Sequence, residues 1–213
     1  SYTIISTDGY WNGPGVTLGA SDADANSDNT DGATITGIGA TYKYVKSKPY
    51  ADGAAHTLAD VSMHYWKTDL QPSTVNAVPA IGDNVSFWQN MTNFTVGLGV
   101  RGSLNPAVDL PALTAGTKAW PAAASGQTAA NVDDLWHAAV NSRGKYFSAK
   151  DPKELADAIK TVLSGATGSG GATAGVATAS TVLSATNRKY VPTFTPTSWN
   201  GDIAANPLNA TGQ

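Results

Sequence analysis

The sequence predicts an α/β fold built on a parallel sheet, and three observations carry the prediction. Between residues 2 and 163 short β-rich runs alternate with amphipathic helical patterns, in the order strand, helix, strand, helix, strand, helix. The first run stops abruptly at Asp8-Gly9, as a strand does when its C-terminal end delivers a carboxylate into a turn. With 41% hydrophobic and 14% charged residues, 22 Gly and 11 Pro among 213 residues, the composition is that of a globular, loop-rich chain and neither a disordered tail nor a coiled coil.

The elements follow in order. Tyr2 to Thr7 alternates β-formers and reads as a strand, whereas residues 10–53 are rich in Gly, Asp, Asn and Thr without periodicity and read as an inserted loop with a hairpin near 41–45. Thr57 with Asp60 three positions on forms a capping box, and Leu58, Val61, Met63, Tyr65, Trp66 and Leu70 then give a broad apolar helical face to about residue 70. Residues 93–100 read as a second, largely buried strand. After a Pro- and Ala-rich excursion, Asn131 is expected to cap a helix carrying Val132, Leu135, Trp136 and Ala139, with Gly144 as its stop. Tyr146-Phe147-Ser148 makes a short third strand. Asp151-Pro152-Lys153-Glu154 combines a capping Asp, a first-turn Pro and a Glu, and starts a helix whose apolar face holds Leu155, Ile159 and Val162.

The C-terminal texture differs. Residues 165–181 are Gly, Ala, Ser and Thr with few bulky side chains, the composition of a linker. Beyond them, Arg188 to Thr195 and then Trp199-Asn200-Gly201-Asp202 carry the Asn-Gly signal of a hairpin, so residues 182–213 read as the opening strands of an all-β domain.

Charge and composition narrow the function. A formal net charge of -3 with scattered Lys and Arg leaves no electrostatic footprint for nucleic acid, and no apolar run is long enough to insert into a membrane. Cysteine is absent, which removes disulfides, thiolate catalysis and Cys-zinc sites. No G-x-S-x-G, H-E-x-x-H or Walker A pattern occurs, and His56, His64 and His137 lack zinc-ligand spacing. Gly97-Leu98-Gly99-Val100-Arg101-Gly102 matches G-x-G-x-x-G, but Ser103-Leu104-Asn105-Pro106 does not open a helix and no acid follows about 20 residues on, so strand packing and a turn explain the glycines better.

Two candidate ligand sets remain. Asp8 sits where ligands gather in an open parallel sheet, outside the carboxyl ends of strands; from position alone it either ligates a metal or polar group or makes an Asx turn with Gly9, the latter slightly favoured. In residues 22–31 acids and amides alternate as in calcium loops, with Asp24, Asn26 and Asp28 at the first ligand positions. Ile35 stands where a bidentate Glu belongs, so a solvated turn-rich loop fits better than a calcium site. Asp133 and Asp134 are expected to complement the dipole at the start of their helix.

A family resemblance then orders these readings. Residues 7–13 (Thr-Asp-Gly-Tyr-Trp-Asn-Gly), 49–53 (Pro-Tyr-Ala-Asp-Gly), 57–61 (Thr-Leu-Ala-Asp-Val), 65–70 (Tyr-Trp-Lys-Thr-Asp-Leu), 87–92 (Phe-Trp-Gln-Asn-Met-Thr), 95–100, 133–139 (Asp-Asp-Leu-Trp-His-Ala-Ala) and 143–149 (Arg-Gly-Lys-Tyr-Phe-Ser-Ala) resemble, in order, the PilY-type type IV pilus biogenesis factors and tip adhesins. Trp199-Asn200-Gly201-Asp202 is similar to the opening of that family's β-propeller. The resemblance implies that residues 1–164 are the C-terminal half of a Rossmann-like von Willebrand factor A-like domain with inserted loops at about 10–53 and 103–130, joined by the linker to the first propeller strands. It implies a non-enzymatic adhesin and assembly factor at the pilus tip or outer-membrane surface, exported, with minor pilins, a host or abiotic surface receptor and the upstream half of its own domain as partners. In such domains Asp8 matches the Asp of a T-D-G turn that binds a divalent cation, Mg or Ca. The companion D-x-S-x-S does not occur in this sequence; Asp60-Val61-Ser62 is a fragment of it. The alternative is a Rossmann-like metal- or nucleotide-dependent enzyme accessory domain.

Overall fold

The computed structural model describes residues 1–10, 25–78, 84–123, 126–149, 153, 156–157, 159–160, 177–178, 188–195 and 200–207. Its chain divides into two compact units, Ser1–Leu163 and Ser164–Gln213.

In the first unit β1 (Tyr2–Thr7), β4 (Thr92–Leu98) and β5 (Tyr146–Ala149) form a sheet in the order β1-β4-β5, with both pairings parallel. A parallel pair needs a crossover between its strands. The first crossover contains the antiparallel hairpin β2 (Thr34–Gly37) and β3 (Ala40–Lys43), then helix α1 (Leu58–Lys67); the second contains α2 (Leu110–Thr114) and α3 (Ala129–Asn141). The central strand β4 is buried along both faces from Thr92 to Gly97, as its position between two neighbours demands. On β1, by contrast, Tyr2 and Ile4 are exposed by 43% and 45%.

Helix α1 starts as its capping box dictates: Asp60 N–H donates to Thr57 Oγ1 at 3.1 Å, and Thr57 N–H donates to Asp60 Oδ2 at 3.2 Å. It ends at Lys67, one turn short of the expected Leu70, because Leu70 N–H is drawn away to Gln89 O at 2.8 Å. The hairpin lies earlier than residues 41–45, since the two-residue connection Ile38-Gly39, with Gly39 at φ 71°, closes between Gly37 and Ala40. Inside the Pro/Ala-rich excursion, α2 and Trp120 build a small core with Leu113 and Trp136 that composition alone did not announce.

Both expected ends of α3 are corrected. The N-cap is Thr128, and Asn131 lies in the first turn with Nδ2 donating to Gly126 O. At the C-terminus the left-handed residue is Arg143, at φ 61°, followed by Gly144 N–H to Ala139 O at 2.9 Å and preceded by its own N–H to Val140 O at 3.1 Å, a Schellman pattern. A side chain in that conformation costs about 1 kcal/mol. The Arg143 guanidinium offsets it by stacking 3.5 Å from the Trp66 ring centroid and 3.7 Å from that of Tyr50. Gly144 is required for a different reason: a Cβ there would sit 1.9 Å from Asn93 O on β4.

The helix pair is joined by a carboxylate. Asp134 on α3 accepts from Leu58 N–H at 2.9 Å and Ala59 N–H at 3.0 Å, so the two orphan donors that the capping box leaves at the start of α1 are satisfied from another element. The main core lies beside this contact: Ile35, Tyr44, Met63, Trp66 and Trp88, with Tyr42 stacked on Trp88 at 4.9 Å.

The second unit contains the antiparallel sheet β6 (Ala177–Thr178), β7 (Arg188–Thr195) and β8 (Asn200–Pro207), in that order. Asn200-Gly201 begins β8, and β6 lies within the segment whose composition reads as a linker. Lys153, Ala156, Asp157, Ile159 and Lys160 are helical, as the Asp-Pro start predicts; the start itself, residues 151–152, lies outside the described residues.

Removing the shared cap is the first test of this architecture. Asp134→Ala should lower the local stability of α1 by about 3 kcal/mol, since two buried N–H groups lose their partner, and Asp134→Asn by about half as much. Hydrogen exchange at residues 58–67 in the full-length protein reads the difference.

Candidate functional site

The carboxyl edge of the parallel sheet is where side chains of different strands converge on solvent. Asp8 stands there, exposed, immediately after β1. Its turn is made by Thr7 instead of by Asp8: Thr7 Oγ1 donates to Gly9 O at 2.8 Å and lies 3.3 Å from Gly9 N–H. The Asp8 carboxylate is therefore not consumed by an Asx turn. Tyr10 then reaches across, its hydroxyl donating to Arg101 O at 3.2 Å, which ties the loop after β1 to the loop after β4.

That second loop is the glycine-rich one. A Cβ on Gly97 would lie 2.9 Å from the Tyr146 hydroxyl, Gly99 has φ 72°, and a Cβ on Gly102 would lie 1.9 Å from Asp133 Oδ1. The glycines thus serve close packing and a turn. Asp133 accepts from Ser103 N–H at 2.9 Å, Ser103 Oγ at 2.6 Å and Leu104 N–H at 3.0 Å. An anion already fills the donors that a phosphate would need, and it belongs to the protein. Asp133 and Asp134 were expected to serve their own helix dipole; each instead binds another segment, because α3 packs between the loop and α1.

Asn26 and Asp28 lie elsewhere, and Asp24 is outside the described residues. The segment is not a solvated turn: Ser27 is buried and Asp28 fully so. Asn26 has φ 58°, which turns the chain inward. Asp28 Oδ1 accepts from Asp52 N–H at 3.2 Å and Oδ2 from Asn141 Nδ2 at 3.1 Å, while Asp28 N–H donates to Asp60 Oδ1 at 3.3 Å. His137 joins the cluster, with Nε2 2.6 Å from Tyr50 O and 3.6 Å from Asp28 Oδ2, and Nδ1 3.7 Å from Asp52 Oδ2. Its ring stacks on Trp120 at 4.1 Å. Lys67 caps the loop from the other side, its ammonium donating to Ser27 O at 2.5 Å and Thr30 O at 2.6 Å.

Burial sets the charge states here. It pushes Asp28 up to about 8, helped by the neighbouring carboxylates of Asp60 and Asp52, and Asp134 up to about 7 against the pull of its two backbone donors. Burial pushes His137 down to about 3, so its imidazole is neutral and donates from Nε2 to Tyr50 O. Asp52 and Asp60 are raised for the same reason. Of the residues meeting in this junction, 50–53, 57–61, 133–139 and 143 lie in the motifs of the resemblance, whereas Asp28 and Asn141 do not, and periodicity does not betray any of them as partners. Among the described residues no group of three or more His, Asp or Glu side chains could hold a metal ion.

The chain thus presents a parallel-sheet unit whose carboxyl edge carries one free-standing Asp and whose interior is pinned by aspartates, a unit similar to part of the type IV pilus biogenesis factors. It is 40% identical over 188 residues to Type IV pilus biogenesis factor PilY1 of Pseudomonas aeruginosa strain UCBPP-PA14, and 35% identical over 187 residues to the proteins of that name in strains PAK and PAO1. Each match covers 76% of this chain and 15% of the relative, so the chain spans about a seventh of the length of these proteins. The resemblance to the PilY-type factors is therefore established over three quarters of the chain. No family model matches, and no solved structure matches.

The raised carboxylates fix a pH dependence. A folded-state value above the unfolded value near 4 means that the folded state binds more protons between the two, so stability falls as pH rises from about 4 to about 8 through Asp28. His137 acts oppositely, adding stability as pH rises from about 3 to about 6.5. Above pH 6.5 only the decline remains. Asp28→Asn should flatten that decline, and the variant should gain on the wild type as pH increases from 6.5 to 8. The urea midpoint for exposure of residues 58–67, read by pulse hydrogen exchange in the full-length protein, checks it.

Proposed function

We propose that this chain is part of a non-enzymatic type IV pilus assembly factor and tip adhesin, in which residues 1–164 complete a von Willebrand factor A-like domain and residues 182–213 open a β-propeller. The observation that carries the reading is the similarity to PilY1, 40% identical over 188 residues and covering 76% of this chain. An accessory enzyme of nucleotide type is disfavoured, because Asp133 occupies the backbone donors of the only glycine-rich loop with the matching pattern. The working location is the pilus tip or outer-membrane surface; among the described residues no helix is long and apolar enough to cross a membrane. Minor pilins and a surface receptor are the partners this reading names.

The open edge of β1, with Tyr2 and Ile4 exposed, supports a further strand from an upstream half of the same domain. In this reading a divalent cation, Mg or Ca, enters at the Asp8 edge, where Asp8 would be one ligand and the others would come from outside this chain.

Two experiments test the reading. In the full-length protein Asp8→Ala should abolish or strongly weaken Mg or Ca binding measured by calorimetry, and equal affinity of the two proteins would remove Asp8 from the site. Deleting residues 1–164 should abolish surface attachment while pili still assemble. Loss of the pili themselves would give this unit an assembly role and overturn the division of labour.

A further inference from the structure

Next to the Asp8 edge lies a cleft that neither the cation reading nor the buried junction uses. It has a volume of about 520 Å³, within the range of small-ligand sites, and lies between the loop that follows β4 and the side of β5. One wall is the loop 101–107; the other is Tyr146 and Ser148 of β5 with Val132 of α3. We propose that this cleft binds an acidic sugar residue, with the Arg101 guanidinium on the carboxylate and the Tyr146 and Ser148 hydroxyls on the ring hydroxyls.

The wall is preformed. Asp133 holds Ser103 and Leu104 by three donors, and Asp109 holds the far end, accepting from Asn105 N–H at 2.7 Å and lying 2.8 Å from the Lys118 ammonium. A loop fixed at both ends binds without the entropic cost of ordering. Arg101 is exposed at the mouth, and among the described residues no carboxylate pairs with its side chain. The Tyr146 ring packs against the Leu113, Trp120 and Trp136 cluster, which fixes where its hydroxyl stands. Hydroxyls both donate and accept, as a polyol requires, and Leu104 and Pro106 offer apolar surface to the C–H face of a pyranose. Asp133 stands behind the loop with its oxygens engaged by Ser103 and Leu104, so the cation at the mouth is the group left to choose the charge of the ligand. The Tyr146 and Ser148 hydroxyls bond each other, which orients them and leaves one O–H and the remaining lone pairs for adjacent ring hydroxyls; a peptide carboxylate could meet Arg101 but brings no vicinal hydroxyls to use them, which favours the sugar.

Calorimetry on the full-length protein with digalacturonate as the probe tests the site, with neutral galactobiose and the dipeptide Glu-Glu alongside. Saturable binding of digalacturonate is expected, with galactobiose weaker. Arg101→Ala should weaken digalacturonate by about tenfold and Arg101→Lys by less, while galactobiose changes little. Tyr146→Phe keeps the packed ring and should weaken both sugars by about threefold with the unfolding midpoint of the unit unchanged. Failure of digalacturonate to bind, stronger binding of Glu-Glu, or indifference to Arg101→Ala would each overturn the proposal. The cation reading stands or falls separately, because Asp8→Ala should leave digalacturonate binding intact.

Discussion

The rest of the first unit depends on one carboxylate at the start of one helix. α1 begins with four N–H groups that its own turns cannot satisfy, and its capping box supplies side-chain acceptors for two of them, Thr57 N–H and Asp60 N–H. Asp134 takes two more from α3. A helix start that is completed by another helix is weakened without it, so hydrogen-bond geometry joins the fit of Met63 and Trp66 in the core in setting the crossing of α1 and α3. Once the helices are set, Asn141 on α3 meets Asp28, Ser142 meets β4 through Asn93 N–H at 2.9 Å, and Arg143 closes over Tyr50 and Trp66. Strand, inserted loop and both helices are referred to one frame.

Such a frame is expensive. Burying Asp28, Asp60, Asp134 and His137 in place of apolar side chains surrenders transfer free energy and invites desolvation, and only full hydrogen bonding offsets the loss. What it provides is directional. An apolar contact tolerates sliding, whereas Asp28 bonded at one oxygen to Asp52 N–H and at the other to Asn141 accepts a single position of the inserted loop. A chain with 41% hydrophobic residues and a long Gly- and Asp-rich insertion has few other means of giving that insertion a unique path.

How far the sequence discloses this depends on the range of the interaction. Local signals read correctly where local physics governs: the Thr57/Asp60 box, the strand that stops at Asp8, and the close packing of the glycines at 97–102. Errors fall where a distant partner overrides the local preference. Gly144 looks like a helix stop, yet it is Arg143 that turns left-handed, because stacking on aromatic rings from two other segments offsets its strain and β4 needs the space at Gly144. Asp28 reads as a solvated turn residue because nothing nearby in sequence marks Asp52, Asp60 and Asn141 as its neighbours. The cleft beside Arg101 has no linear pattern at all, since its walls, the loop 101–107 on one side and Val132, Tyr146 and Ser148 on the other, come from separate elements.

The parallel pairing of β1 has a kinetic consequence. Its contacts reach far along the chain: the Ser1 amine donates to Asn90 O across 89 positions, and Tyr2 to Thr7 pair with Thr92 to Gly97 throughout. Closing so large a loop must precede any reward from the strand, and the α1–α3 contact at Asp134 spans a similar 75 and 76 positions, whereas the β2–β3 hairpin and the turns within each helix form from local encounters. β1 therefore depends on long-range closure as the helix pair does, and the turn bearing Asp8 takes its place after the local elements form. A surface built in that order stays incomplete in any partly folded chain, so the exposed edge becomes competent only when folding is nearly finished.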